Sequence, residues 1–480
     1  MINVLPAALR RAGLPEGSEP ASLPAQNPAD KPGRNGLALL AGIAGVLIVL
    51  AVLLVYLAGH REILAIQLDL RIYRDGGLIA RHVRPWYDGR LGSPLYDWPG
   101  YHGLKFTYSP FAALIFTVLT GLTATELLLG SIAVSVAALA LAVWFTLGAL
   151  GARPGVARAG WTLLAASGAV LLEPVPRTLS LGQIELVLLA LVLWDMCQPD
   201  RRWWKGTGVG VAAGIKLVSL IFIPYLLLTR RYRQAAVAAG TFAATILLGF
   251  LVMPADSHDF WLGGVFGNGS RIGFVGFGGN QSLRGLITRL AGSVPGAEPA
   301  WLAVAAVTLV VGLVCAASID RAGHHLIGVL ACALTGLLVS PISWDHHWVW
   351  AVPAVVALAG YAVRTRGTVR WVWSGLCIAV AAVFAAWPVS LWGEPPGIPS
   401  YRFGLIWVPL DPVSGTLPGQ FWHPAYHWHG LDLVTGNLYV LSGLLLLVMA
   451  AAFAWRLRVF RAPPDSHSIT SPAGGSVASR

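Results

Sequence analysis

Residues 37–57 read LALLAGIAGVLIVLAVLLVYL. No charge interrupts the run, and it is long enough to cross a bilayer, which takes ~20 apolar residues in a helix. It is longer than a signal-peptide core and shows no small-residue cleavage site, so it is expected to remain in the chain as a span. The rest of the chain repeats the theme. Of its 480 residues, 56% are hydrophobic and only 11% charged, whereas a soluble domain carries about 25% charged residues. A soluble core cannot absorb that much apolar chain, so the fold class is all-α, a polytopic helical membrane protein.

Twelve hydrophobic segments can be marked, the last at Val434–Trp455, and several are short for a straight span. The formal net charge is +11, with basic clusters at Arg153/Arg158, Arg201/Arg202/Lys205, Arg230/Arg231/Arg233, Arg321, Arg364/Arg366/Arg370 and Arg456/Arg458/Arg461. On a membrane protein such an excess marks cytoplasmic loops, not nucleic acid. If all twelve segments cross, two clusters fall on the wrong side. If Phe111–Leu122 and Val209–Leu228 dip in and return, ten cross and every cluster lies inside. The second of these carries Gly214, Lys216 and Pro224. A lysine at membrane depth should face a cavity or an anionic partner. The alternative is a full helix whose Lys216 snorkels.

This divides the chain into a disordered cytoplasmic N-terminus (1–35), a membrane-embedded body (36–461) and a disordered tail (462–480). The outer loops are 59–110, 254–300, 340–347 and 390–432. The four cysteines lie in or beside apolar segments and are read as packers, with no disulfide framework.

The first polar interruption, residues 68–110, reads LDLRIYRDGGLIARHVRPWYDGRLGSPLYDWPGYHGLKFTYSP. Rings stack on sugar faces, cations hold phosphate, and a carboxylate removes a hydroxyl proton. Arg71, Arg74 and Lys105 are candidate phosphate contacts and Tyr73 a candidate sugar contact. Asp69, directly after the first span, is the candidate general base, and a salt bridge to Arg71 or Arg74 is its bland alternative. Asp75 precedes Gly76-Gly77 and suits a turn better.

Residues 340–347, SPISWDHH, place Trp344, Asp345, His346 and His347 behind a helix-breaking proline. Adjacent histidines do not share a helical face, which argues against a helical two-His metal site. One of them can bind a donor phosphate or assist proton movement, oriented by Asp345. Residues 276–284, GFGGNQSLR, offer Asn280 and Gln281 to sugar hydroxyls or phosphate oxygens. The corner 179–185, LSLGQIE, offers Gln183. Residues 421–429, FWHPAYHWH, read as structural or sugar-stacking. The chain has no DxD pair, Walker A or dinucleotide fingerprint, and neither a metal nor a cofactor is expected.

In combination LDLRIYRDGG, PLYD, LKFTYSPFAALIF, LSLGQIELVLLALVLWD, GVAAGIKL, RRYR, GNQSL and SPISWDHHWVW span residues 69–350. The set resembles the actinobacterial membrane glycosyltransferases of family 87, within the C-type superfamily. The resemblance implies a β-linked polyprenyl-phosphate sugar donor, mannose in most members, used at the outer face of the plasma membrane. It implies inversion to an α-mannoside, often α-1,2, on phosphatidylinositol mannosides, lipomannan or lipoarabinomannan. It assigns the catalytic Asp to Asp69 and a site His to His346 or His347. Lys216 and Asn280 would stand near the donor. Where many relatives carry a proline after the lysine, this chain has Leu217. The runner-up enzyme is an arabinofuranosyltransferase on the same scaffold. A lipid-linked sugar flippase would show paired broken helices in corresponding halves, and the sequence has no such symmetry.

Overall fold

The computed structural model describes residues 32–59, 67–82, 86–87, 90–91, 94–98, 104–268, 271–273, 275–291, 296–387, 404–408 and 428–459. Most of the histidine-rich stretch 421–429 and most of the last polar loop lie outside them. Among the described residues, six helices are long and apolar enough to cross a membrane. These are Ala124–Ala149, Tyr232–Val252, Ala297–Arg321, Asp345–Arg364, Gly367–Phe384 and Leu438–Leu457. Four shorter apolar helices accompany them: Gly36–Val52, Pro110–Leu119, Leu217–Leu228 and His325–Val339. The chain is therefore a polytopic α-helical membrane protein. Its only paired strands among the described residues are β1 (Trp86–Tyr87) and β2 (Arg90–Leu91), a small antiparallel hairpin.

The α-helices are, in chain order, α1 (Pro32–Gly59), α2 (Leu68–Ala80), α3 (Pro110–Phe116), α4 (Ala124–Ala149), α5 (Val156–Ala169), α6 (Pro174–Leu181), α7 (Glu185–Met196), α8 (Thr207–Ile215), α9 (Phe222–Leu228), α10 (Tyr232–Val252), α11 (Pro254–Trp261), α12 (Leu283–Ala291), α13 (Ala297–Arg321) and α14 (His325–Val339). They are followed by α15 (Ala351–Arg364), α16 (Gly367–Phe384), α17 (Leu431–Thr435) and α18 (Leu438–Val459).

The segment 207–228 does what its lysine and glycines suggest. Helix α8 stops at Lys216, whose backbone is extended (φ −140°, ψ 114°). A tight turn over Leu217–Ile221 follows, then α9. The break needs no proline, because Ser109 supplies what a continuing helix would. Its hydroxyl donates to the Gly214 carbonyl, and the same oxygen accepts from Ala112 N (3.2 Å) to cap α3. The two feet of the segment then meet: Arg231 pairs with Asp200 (3.0 Å), and Arg233 donates to the carbonyls of Asp200 and Arg202. The segment therefore enters and leaves at one end of the bundle, with Lys216 at its tip.

The other basic clusters gather at that end. Arg158 lies beside Cys197, and Arg321 donates to the Leu228 carbonyl (2.6 Å). Gly360 packs on Leu150 beside Arg364, and Ala454 packs with Ile319. The segment 110–119 is likewise too short to cross, since ten helical residues rise only ~15 Å. It packs against α2, where Gly76 accepts the Phe106 ring and Gly77 the Phe116 backbone.

Three glycines spaced four apart, Gly206, Gly210 and Gly214, set α8 against α10. A Cβ on Gly210 would lie 2.5 Å from Thr241 Cβ and 2.6 Å from the Ala238 carbonyl oxygen. Overpacking of this kind costs ~1–3 kcal/mol. Gly210→Ala is thus expected to lower the thermal unfolding midpoint of the detergent-solubilised protein, and an unchanged midpoint would refute this packing.

Candidate active site

The end opposite the basic clusters holds a buried polar cluster drawn from four elements. Helix α2 brings Asp69 in its first turn and Tyr73 one turn later. The left-handed Gly182 (φ 70°) closes α6 and turns the chain into α7, presenting Gln183 and Glu185. The tip of the broken segment brings Lys216. A tight turn over Asp345–Trp350 brings Asp345, His346 and His347, all buried.

These groups are wired together. Tyr73 donates to Gln183 Oε1 (2.6 Å) and meets the Tyr108 hydroxyl (2.7 Å), while Tyr108 also reaches Gln183 Oε1 (3.2 Å). With its oxygen so occupied, Gln183 turns its NH₂ to Asp69. Lys216 Nζ pairs with Glu185 and approaches His347 Nε2 (2.9 Å), which also lies 3.5 Å from Glu185 Oε1. An ammonium only donates, so His347 Nε2 accepts and its proton sits on Nδ1. Asp345 receives Arg177 Nε on one oxygen (3.0 Å), and His346 N (3.0 Å) and Nδ1 (3.2 Å) on the other. That fixes the His346 proton on Nδ1.

Two imidazole nitrogens of the cluster remain without a partner, His346 Nε2 and His347 Nδ1. Buried polar atoms rarely stay unpaired without a use, and these two suit a ligand. Asp69 is half-buried and senses His346, Lys216 and Arg177. Burial lifts its carboxyl above the ordinary aspartate value, and nearby His346, the Gln183 hydrogen bond, Lys216 and Arg177 draw it part of the way back.

Seven residues expected at the site therefore come together: Asp69, Tyr73, Gln183, Lys216, Asp345, His346 and His347. The others lie elsewhere or are otherwise engaged. Arg71 and Lys105 are exposed, and Arg74 is half-buried on α2. The rings of Tyr96, Trp98 and Phe106 are buried in the fold, with Tyr96 stacked on Phe260 (5.4 Å), and so do not line an open sugar cleft.

Asn280 spends its oxygen on Ser343 N (2.9 Å) and its NH₂ on Val275 O (2.9 Å). Gln281 spends its NH₂ on Gly278 O (2.6 Å) and Gly436 O (2.8 Å), and its oxygen on Tyr439 N (3.2 Å). Both amides hold the Gly-rich loop against the 340–347 segment and α18. The bridge Asn280↔Trp344 and the Asp345 N–Gly279 O bond (2.8 Å) complete that seam. Half-buried Trp344 sets its ring edge-on to Phe277 (6.0 Å).

Tyr108 is one ring among the many of residues 68–110, whereas Arg177 enters the site without a sequence signal. So does Glu173, a buried carboxylate that accepts from Tyr439 OH (2.8 Å) and Trp407 Nε1 (3.4 Å) beside Asp345.

Glu185, His346 and His347 place one ligand atom each within 4.8 Å of one another, a spacing that suits a metal ion. The Lys216 ammonium, paired with Glu185 and 2.9 Å from His347, already supplies the positive charge there. The cluster as built is a carboxylate able to take a proton, beside fixed cations and the His347 Nδ1–H able to hold an anion, with the His346 Nε2 lone pair open to a hydroxyl donor.

A family model described as glycosyltransferase family 87 matches residues 106–341. The polyprenol-phosphate-mannose-dependent alpha-(1-2)-phosphatidylinositol pentamannoside mannosyltransferase of Mycobacterium tuberculosis is 34% identical over 365 residues, 74% of this chain and 80% of that protein. The polyprenol-phosphate-mannose-dependent alpha-(1-2)-phosphatidylinositol mannoside mannosyltransferase of the same species is 32% identical, over 62% of this chain and 72% of its own. A pentamannoside mannosyltransferase of Mycolicibacterium smegmatis is 32% identical, over 74% and 84%. No solved structure matches the chain.

Proposed function

The chain belongs to glycosyltransferase family 87, and from that premise we propose that it transfers mannose from a polyprenyl-phosphate donor to a mannosylated phosphatidylinositol glycolipid, forming an α-1,2 bond with inversion. The observation that carries this reading is Asp69 at the polar end of the bundle, facing Lys216, His346 and Arg177. A lipid-phosphate donor keeps its tail in the bilayer and its phosphate at the rim, where cations wait. Asp69 takes the proton of the acceptor hydroxyl as that oxygen attacks the anomeric carbon. The bond to the phosphate breaks on the opposite face. The departing polyprenyl phosphate gains negative charge, which Lys216 stabilises, with the His347 Nδ1–H as a spare donor. No covalent enzyme intermediate is needed.

The site opens on the outer face of the plasma membrane, because the gathered basic clusters belong on the cytoplasmic side. Mannose is preferred over arabinofuranose because mannose is the sugar in the relatives' names. The test supplies purified protein with polyprenyl phosphate mannose and, in a parallel reaction, with the arabinofuranosyl donor, each with a phosphatidylinositol mannoside acceptor. Transfer from the first alone is expected. Transfer from the second alone would overturn the assignment.

The pH profile follows from Asp69. Only its ionised form is a base, and its pKa lies above the ordinary aspartate value. As pH falls through that raised pKa the base is protonated, so kcat/KM is expected to fall on the acid side at a higher pH than an ordinary Asp would give. An acid limb at or below the usual Asp value would contradict the burial of this group.

A further inference from the structure

Far from the cluster, at the basic end, a second set of buried and half-buried charges ties together the roots of two site elements. Asp320, at the end of α13, accepts Tyr225 OH of α9. It also pairs with Arg231 NH1 (2.9 Å) and with His325 Nδ1 (2.6 Å). Arg231 Nε continues to Asp200 (3.0 Å), which also holds Lys205 (2.8 Å). His325 Nε2 meets the Met196 carbonyl (2.9 Å). His325 thus spans from the Asp320 carboxylate to the Met196 carbonyl at the end of α7. Asp195, fully buried, accepts from Gly206 N (2.7 Å) and Val209 N (2.9 Å) and seats the start of α8.

Nothing in the transfer chemistry uses these groups, and none touches the cluster. Their common feature is what stands on them. Tyr225 and Arg231 root the broken segment whose tip is Lys216. His325 opens α14, a rod of fifteen residues and ~22 Å that runs to the 340–347 segment. The two columns are packed side by side, with Cys332 Sγ near the Ile221 carbonyl (3.7 Å) and Gly336 against Ile221. At their tops Lys216 Nζ and His347 Nε2 are 2.9 Å apart.

We propose that Asp320, with Arg231, His325 and Tyr225, is a positioning device that sets the height of Lys216 relative to His347 and so prepares the phosphate end of the donor site. This rests on the reading of Lys216 as a donor-phosphate contact. A one-turn slip is not required, since a misplacement of ~1 Å can cost about a hundredfold in rate.

The test compares Asp320→Asn and Tyr225→Phe with wild type in detergent micelles, by two readouts. Hydrogen exchange of peptides covering 217–228 and 340–350 needs no donor. Both stretches are expected to exchange faster in the variants, while α4 and α18 stay as in wild type. In transfer assays the donor KM is expected to rise about tenfold or more with the acceptor KM unchanged.

Unchanged exchange and unchanged donor KM in a folded variant would overturn the proposal. So would exchange raised evenly over the whole chain with kcat and both KM values affected alike, which marks general loosening. Should Asp320→Asn not fold, Tyr225→Phe, which removes one hydroxyl, decides the matter by the same two readouts. Wild type that transfers no mannose would instead refute the proposed function, and the exchange comparison would still decide the positioning role.

Discussion

Lys216→Met is expected to reduce transfer by roughly 10²–10³-fold, because one fixed charge aimed at developing negative charge is worth about that much in a dry site. Methionine keeps the length of the side chain and removes only the ammonium. The same change leaves Glu185, buried beside it, without its cation. Breaking a buried pair on one side typically costs about 3–5 kcal/mol. Lys216 is partly accessible and the penalty is expected below that range, but thermal stability should fall. The double variant Lys216→Met/Glu185→Gln separates the two effects: it should recover stability and stay inactive. Recovery of activity with stability would mean that Lys216 only neutralises Glu185 and that the phosphate is held elsewhere.

Asp69→Asn should behave in the opposite way on stability. Loss of a general base costs roughly 10²–10⁴-fold in rate, so transfer should nearly vanish. Stability should hold or rise. The folded state raises the Asp69 pKa, so it disfavours the ionised form. That penalty is absent below the unfolded-state pKa and is felt as pH rises through the folded-state value. At neutral pH the neutral amide escapes it while still fitting beside Gln183. Thermal unfolding and transfer assays on the same preparation read both effects. A variant that keeps wild-type turnover would move the base to another carboxylate, and one that loses its fold would make Asp69 structural.

The sequence discloses the membrane body and much of the site for one physical reason: polar groups are conspicuous in an apolar chain. Lys216, two residues after Gly214 in an otherwise apolar segment, marks its own break, and the crowding of basic residues at one end of each apolar run makes the dipping segment legible. Other parts are set by contacts that no local pattern reports. Arg177 meets Asp345 across 168 positions, and Glu173 meets Tyr439 across 266. Nothing in PVPRTLS says which carboxylate its arginine will find.

Asn280 and Gln281 illustrate the converse. Amides in a glycine-rich loop resemble ligand contacts, yet a tight buried loop leaves many backbone groups in need of partners, and these amides supply them. The loop is held further by Arg289, buried, which donates to the Phe277 and Asn280 carbonyls (3.0 Å each) and to Asn437. The apolar runs surface as six helices long and apolar enough to cross and four shorter apolar helices among the described residues, and at the polar cluster α7 begins at Glu185 and α8 ends at Lys216.

The most direct measurement is the anomeric configuration of the product formed from β-linked polyprenyl phosphate mannose and a phosphatidylinositol mannoside, followed by NMR for wild type and Asp69→Asn. A single displacement with Asp69 as base gives an α-mannoside with wild type and almost no product with the variant. A β-mannoside, or an α-mannoside formed equally well by the variant, would contradict it.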